Sequence, residues 1–267
     1  METIAREVNN LEDNFRNIKY SKAGSLLENI YKGDNVWSKV IFFIFVLILF
    51  ILSLRGGVRM LSWLMSPDED PILVNGLKDA KKPLLVNVDP SKKSSQPIIR
   101  SVNERGGLEF TWTVWVNIEN LKYGESSQDY YHIFNKGNLP KSYKTGESLD
   151  GIQDSPGLYL KKDTNKILIK MTSFNGDTRS ESIEVDNIPL NKWINVVLKV
   201  KGKKLDTYIN GSIVNRHIFE SVPKQNYGDV YVNMNNGFSG MLSSLRYFDK
   251  ALTGVEIENL VKTGPNM

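Results

Sequence analysis

The stretch SESIEVDN brings three carboxylates close together, Glu181, Glu184 and Asp186. Glycoside hydrolysis with retention needs an acid and a nucleophile facing one sugar about 5–5.5 Å apart. On a regular strand side chains alternate between faces, so Glu181 and Glu184, separated by an odd step, point to opposite sides. Glu184 and Asp186 share a side but lack a third partner, and the stretch reads as a solvated strand edge. His132 and His217 are the only histidines, and neither has a ligand-spaced neighbour of the H-x-x-x-H type. Cysteine is absent, which removes disulfides, thiolate metal sites and thiol nucleophiles together. No G-x-S-x-G elbow, P-loop or G-x-G-x-x-G run occurs. The sequence therefore assigns no catalytic residue, no metal ligand and no cofactor, and the protein is expected not to be an enzyme.

Asn210-Gly211-Ser212 is the remaining chemical candidate, because it fits the acceptor pattern for N-glycosylation. Asn-Gly between two runs of alternating apolar residues is also a strong signal for a two-residue hairpin turn, which needs positive φ at both positions. The turn accounts for both residues, and modification of Asn210 is compatible with it. Around this turn the period of hydrophobicity is two. In LEFTWTVWVNI, Phe110, Trp112, Val114, Val116 and Ile118 point one way and Thr111, Thr113, Trp115 and Asn117 the other. WINVVLKV repeats the pattern, and PGLYLKK, KILIKM, ESIEV, DVYVNM and GMLSSLRYF add further runs separated by Gly, Asn, Asp and Pro clusters. This spacing predicts an all-β antiparallel sandwich in which strands such as these bury one face. TGVEIENLVKTGP predicts a closing helix with Thr253 as N-cap, Glu256 completing a capping box, and Gly264 and Pro265 at the end.

The 267 residues, 40% of them hydrophobic, suffice for one large domain with appendages. Lys and Arg number 34 against 30 Asp and Glu and are scattered, so nucleic acid is not an expected partner. VIFFIFVLILFILSL, residues 40–54, carries no charge and lies between Lys39 and Arg55. With Trp37 and Ser38 before it and Gly56-Gly57-Val58 after it, the run can span a bilayer if the flanking cations snorkel. A cleaved signal peptide is not expected, because mostly polar residues precede the run and no small-x-small cleavage pattern follows. Lys22, Lys32 and Lys39 against Arg55 and Arg59 favour a cytoplasmic N-terminus. Residues 1–36 carry an apolar seam, Ile4, Val8, Leu11, Phe15 and Ile18, suited to a partner helix, a membrane surface or packing on the chain itself. The expected organisation is a helical segment over 1–36, a membrane helix with an interfacial extension over 37–66, a proline-containing tether over 67–97, in which PLLVNV suits a short extended piece and which can dock partly on the following domain, and a sandwich over 98–264.

The runs FTWTVWVNI, IFNKGN, GLYLKK, NKWINVVLKVKGKKLDTYINGSIV and FSGMLSSLRYFDKALTGVEIENLVKTG occur in the order seen in laminin-G-like, concanavalin A-like lectin/glucanase domains, which this part of the chain resembles. The residues that carry the likeness and determine the fold are Trp112, Trp193, Tyr208, Asn210, Gly211, Gly240, Thr253 and Glu256. The resemblance implies a concanavalin A-like sandwich, but not one function, since sugar binders, adhesion modules, enzymes and virion components share it. Relatives often hold calcium at one rim, and ESLDGIQDSPG offers Asp150 and Asp154 there; they match no ligand motif and read as an ordinary polar loop. With its membrane segment, the lead-in RSVNERGGLEFTW and its abundant Lys and Asn, the whole chain also resembles membrane-anchored proteins of large DNA viruses. The expectation is a non-catalytic structural protein at a virion internal membrane, held in lipid by residues 40–54 and contacting capsid proteins. A surface-displayed lectin or adhesion protein that binds glycans is the alternative, and a glycoside hydrolase is the third reading that the fold permits.

Overall fold

A computed structural model describes residues 25, 28, 32, 36–101, 108–122, 129–139, 153–174 and 179–267. The apolar seam of residues 4–18 lies outside them. The chain divides into two compact units, residues 1–66 and 67–267.

In the first unit, helix α1 runs unbroken over Val36–Met65, 30 residues, and none of them is buried. At about 1.5 Å per residue it is roughly 45 Å long, more than the ~30 Å hydrocarbon thickness of a bilayer. Among the described residues it is the one helix long and apolar enough to cross a membrane. It continues through Gly56 and Gly57, where helix propensity is poorest. The Ser53 hydroxyl turns back on the backbone and donates to the Phe50 carbonyl at 2.8 Å.

The second unit is a sandwich of two antiparallel six-stranded sheets. Its strands are β1 (Ile72–Asp79), β2 (Leu84–Val86), β3 (Glu109–Asn120), β4 (Tyr130–Gly137), β5 (Asp154–Lys161), β6 (Ile167–Ser173), β7 (Arg179–Val185), β8 (Trp193–Lys201), β9 (Lys204–Ile209), β10 (Ser212–Ile218), β11 (Val230–Val232) and β12 (Ser239–Phe248), followed by helix α2 (Gly254–Thr263). One sheet has the order β1-β12-β3-β8-β9-β10 and the other β2-β11-β4-β5-β6-β7. The core lies between them. Phe110, Trp112, Val114, Val116 and Ile118 of β3 enter it, as do Tyr131, Ile133 and Phe134 of β4 and Leu158 and Leu160 of β5.

The stretch 67–97 is more than a partly docked tether: β1 pairs with β12 and β2, within PLLVNV, pairs with β11, so it supplies an outer strand to each sheet. Its prolines bracket these short strands instead of interrupting them, which is where proline is tolerated in a sheet. Nor do β3 and β8 bury one face only. Thr111, Thr113 and Trp115 on the far side of β3 are buried too, and α2 packs on that side, joining Ile257 and Leu260 to Val197, Phe248 and Leu252 in a second apolar cluster.

Local chemistry shapes the connections. Asn210 and Gly211, at φ 50° and 81°, form the two-residue link between β9 and β10. Thr253 caps α2, its hydroxyl accepting from the Glu256 N–H at 3.3 Å while Glu256 accepts from the Thr253 N–H at 2.7 Å. Lys250 bonds the same carboxylate and, with Thr253, holds Glu256 down to about 2. Gly240 sits at φ 147°, where a Cβ would lie 1.9 Å from the Asn117 carbonyl oxygen on the paired strand. Replacing Gly240 by Ala is therefore expected to lower stability by about 2 kcal/mol or more, whereas Gly254→Ala, with nothing within 4 Å of its Cβ, should stay within about 0.5 kcal/mol of wild type. Denaturant melts of the two variants check this; equal midpoints would show that β12 shifts to make room.

Candidate functional site

The carboxylates that could have done hydrolytic chemistry are each held by a partner. Glu181 meets His217 at 2.8 Å and accepts from the Glu220 N–H at 3.2 Å. Glu184 lies 3.3 Å from Lys161 and 3.5 Å from Lys166, which also pairs with Asp186 at 2.9 Å. The Glu181–His217 contact joins β7 to β10, the outermost strands of the two sheets on one side. No group of three or more His, Asp or Glu side chains able to hold a metal ion occurs among the described residues.

Asp154 is the acid that the structure places differently from the polar loop expected of it; Asp150 lies outside the described residues. Asp154 opens β5 and is fully buried. Tyr159 donates its hydroxyl to one carboxylate oxygen at 2.5 Å, and the Asn135 amide donates to the other at 2.8 Å. Asn135 in turn accepts from His132 at 2.9 Å, and His132 Nδ1 accepts the Met234 N–H at 3.0 Å. Because Nδ1 accepts from a backbone amide, the ring proton sits on Nε2, and the imidazole is neutral. Burial pushes His132 down to about 3 and pushes the Asp154 carboxyl above its ordinary range, against the pull of Tyr159, Asn135 and buried Lys170. The chain Met234–His132–Asn135–Asp154–Tyr159 is a closed set of satisfied hydrogen bonds, with one carboxylate and no second at catalytic spacing within it. Its role is to fix the relation between β4, β5 and the loop after β11. The sequence carried a trace of this in the run YYHIF, but not the pairing, because Asn135 reaches Asp154 only when β4 and β5 come together.

A cavity of about 400 Å³ opens between the two sheets. Phe110, Trp112 and Tyr247 enter it from the first sheet and Lys136 and Ser155 from the second, while the segment Val88–Arg100 and the loop Gln225–Tyr227 form its sides. Trp112 packs edge-on to Tyr247 at 5.1 Å between ring centres. Lys136 is buried and donates to the Gly228 carbonyl at 2.7 Å; loss of water brings its amine down to about 8, opposed by the Asp229 charge. Ser155 donates to the Lys224 carbonyl, and Arg100 reaches the exposed Tyr227 hydroxyl at 3.2 Å. This cavity was not foreseen from the sequence, whose reading placed residues 88–97 in the tether.

The residues that the sequence reading took as fold-determining do not gather into one site. Trp112 is in the core, Trp193 begins β8 half-buried, and Tyr208 lies against the α2 cluster beneath the Lys199 ammonium, 5.8 Å from its ring centre. Asn210 is exposed, and its side-chain oxygen accepts the Asn195 N–H at 2.9 Å. Gly240 lies in β12 against Asn117 of β3, and Thr253 and Glu256 form the cap of α2.

The His132 chain has a pH signature. Its folded-state value lies below the ordinary 6.5, so the unfolded chain takes up the proton first, and stability falls as pH drops from about 6.5 towards 3. The buried Asp154 carboxyl works in the opposite direction: its raised folded-state value adds stability below its ordinary range that is lost as pH rises through it. In His132→Gln the decline of the denaturation midpoint between pH 6.5 and 3 should be shallower than in wild type; equal slopes would place the acid-sensitive group elsewhere.

Solved structures similar to the chain include the binding domain of botulinum neurotoxin serotype G, with 15% identity and a TM-score of 0.46 over 70% of this chain and 46% of that one. Another is the binding domain of botulinum neurotoxin DC in complex with rat synaptotagmin II, with 16% identity and a TM-score of 0.42 over 58% of this chain and 36% of that one. The chain spans less than half the length of either structure. No curated protein matches it. The family model described as the concanavalin A-like lectin/glucanases superfamily, of laminin-G type, matches residues 93–258. With two antiparallel sheets packed face to face and most of its length matched, this chain belongs to that superfamily.

Proposed function

We propose that this chain is a non-catalytic, single-pass membrane protein whose laminin-G-like sandwich docks on other structural proteins, as a virion component linking an internal membrane to capsid proteins. The observation that carries the anchoring is α1: thirty residues, apolar along most of their length, with no side chain buried by protein. A helix apolar all round needs cover, and a bilayer supplies it. Attachment to the same chain raises the effective concentration of any partner at that membrane, so weak contacts suffice. The absence of catalysis rests on Glu181, Glu184 and Asp186 being engaged in ion pairs, and on Asp154 being enclosed without a second carboxylate beside it. The virion setting is supported by the lead-in to the sandwich and by the membrane segment preceding it.

Glycan recognition is the second reading, favoured by membership of a superfamily whose description includes lectins. The full-length protein should remain with membranes through high salt and alkaline carbonate; release under either condition removes the anchor. Cross-linking of intact particles or membranes should join the sandwich to other structural proteins, while a glycan array probed with the same protein stays blank. Selective glycan binding without protein neighbours would replace the scaffold reading with the lectin one.

A further inference from the structure

We propose that the cavity between the sheets is a binding site for a small molecule with a flat, largely hydrocarbon body and one anionic group, the body lying on Phe110, Trp112 and Tyr247 and the anion meeting Lys136. This site is separate from the docking function above and does not depend on it. The volume of about 400 Å³ falls within the ~300–1,000 Å³ usual for small-molecule sites. The three aromatic rings are almost wholly buried, yet each presents a surface to the cavity. Ile98, Ile99, Pro90, Pro97 and Val88 add apolar sides. Rings set edge-on to one another, as Trp112 and Tyr247 are, cannot all turn away from the space they enclose, so a flat apolar body recovers the contacts that the cavity forgoes.

The polar groups select the other end of the ligand. Lys136 is an inward-facing cation on a sheet face that is otherwise core, since Phe134 two residues earlier packs on Trp112 with ring centres 5.4 Å apart. Among the described residues its hydrogen-bond partner is the Gly228 carbonyl, and an ammonium carries three donors. Arg100 adds a second cation at the margin. Asp89 is the lining carboxylate, and one of its oxygens already accepts the Ser91 N–H at 2.9 Å. Asp229, which acts on Lys136 through its charge, is committed to the Val88 N–H at 3.0 Å and to Lys92 at 3.4 Å. A core-facing ammonium with one neutral acceptor is costly to desolvate, and an anionic ligand group offsets that cost with a charge-assisted bond.

Calorimetric titration of the full-length protein in lipid nanodiscs, with empty nanodiscs as reference, tests this using 2-naphthoate and its neutral amide, 2-naphthamide. Wild type should bind both saturably, the carboxylate more tightly. Lys136→Met should weaken 2-naphthoate by about tenfold or more, the scale of one charge-assisted hydrogen bond, and leave 2-naphthamide within about twofold. Ile99→Trp, which fills the cavity from its side, should abolish binding of both while the melting midpoint is kept. Absence of saturable binding to wild type overturns the proposal whatever the variants do. So does 2-naphthoate binding that survives Lys136→Met unchanged, or binding of either probe that survives Ile99→Trp.

Discussion

The packing of Trp112 between Phe134 of the opposite sheet and Tyr247 of its own joins the two sheets where the core meets the cavity. Trp112 and Tyr247 are cross-strand partners in the β3–β12 ladder, and Trp112 pairs with Leu198 on its other side. A large ring at that position sets how far apart the sheets stand at this end, and a close-packed interior does not tolerate a gap it can fill. Trp112 and Tyr247 of this ring cluster also line the cavity. The same rings thus belong to the core on one side and to the candidate binding site on the other.

Polar groups near this junction are handled in two ways. On the outer face of the second sheet, the burial of His132, Asp154 and Tyr159 is offset by four hydrogen bonds that link them through Asn135 and the Met234 N–H. On the inner face Lys136 has, among the described residues, one neutral acceptor, and it lines the cavity. The contrast is a matter of one position along β4, since Asn135 and Lys136 point to opposite sides of the pleat. A closed network rigidifies, and an open one can receive a ligand.

Alternation over β3 and β8, the Asn210-Gly211 turn and the Thr253–Glu256 cap were legible because each is local. The strands were read from period-two runs whose outward residues happen to be buried as well, and here the reading fell short. Thr111 and Thr113 look solvent-facing by residue type, but the Thr111 hydroxyl donates to the Lys250 carbonyl at 2.8 Å and accepts the Leu252 N–H at 3.0 Å, which lets a polar side chain lie beneath the chain leading into α2. Residues 72–79 were missed as a strand because Gly76 at φ 70° and two register shifts against β12 interrupt their alternation. A bulged outer strand keeps its hydrogen bonds while losing the period by which strands are found.

By itself the sequence determined the apolar helix, the sandwich class and the local turns, since these depend on residue type at fixed spacing within one segment. Only the tertiary structure decided that residues 72–86 belong to the sheets, that Asp154 is enclosed by Tyr159 and Asn135, and that Lys136 faces a cavity walled by Val88–Arg100. Each of these joins segments far apart in the chain. Cross-strand partners are chosen by the register of whole ladders and by the packing of one sheet on another, and no single segment carries that information.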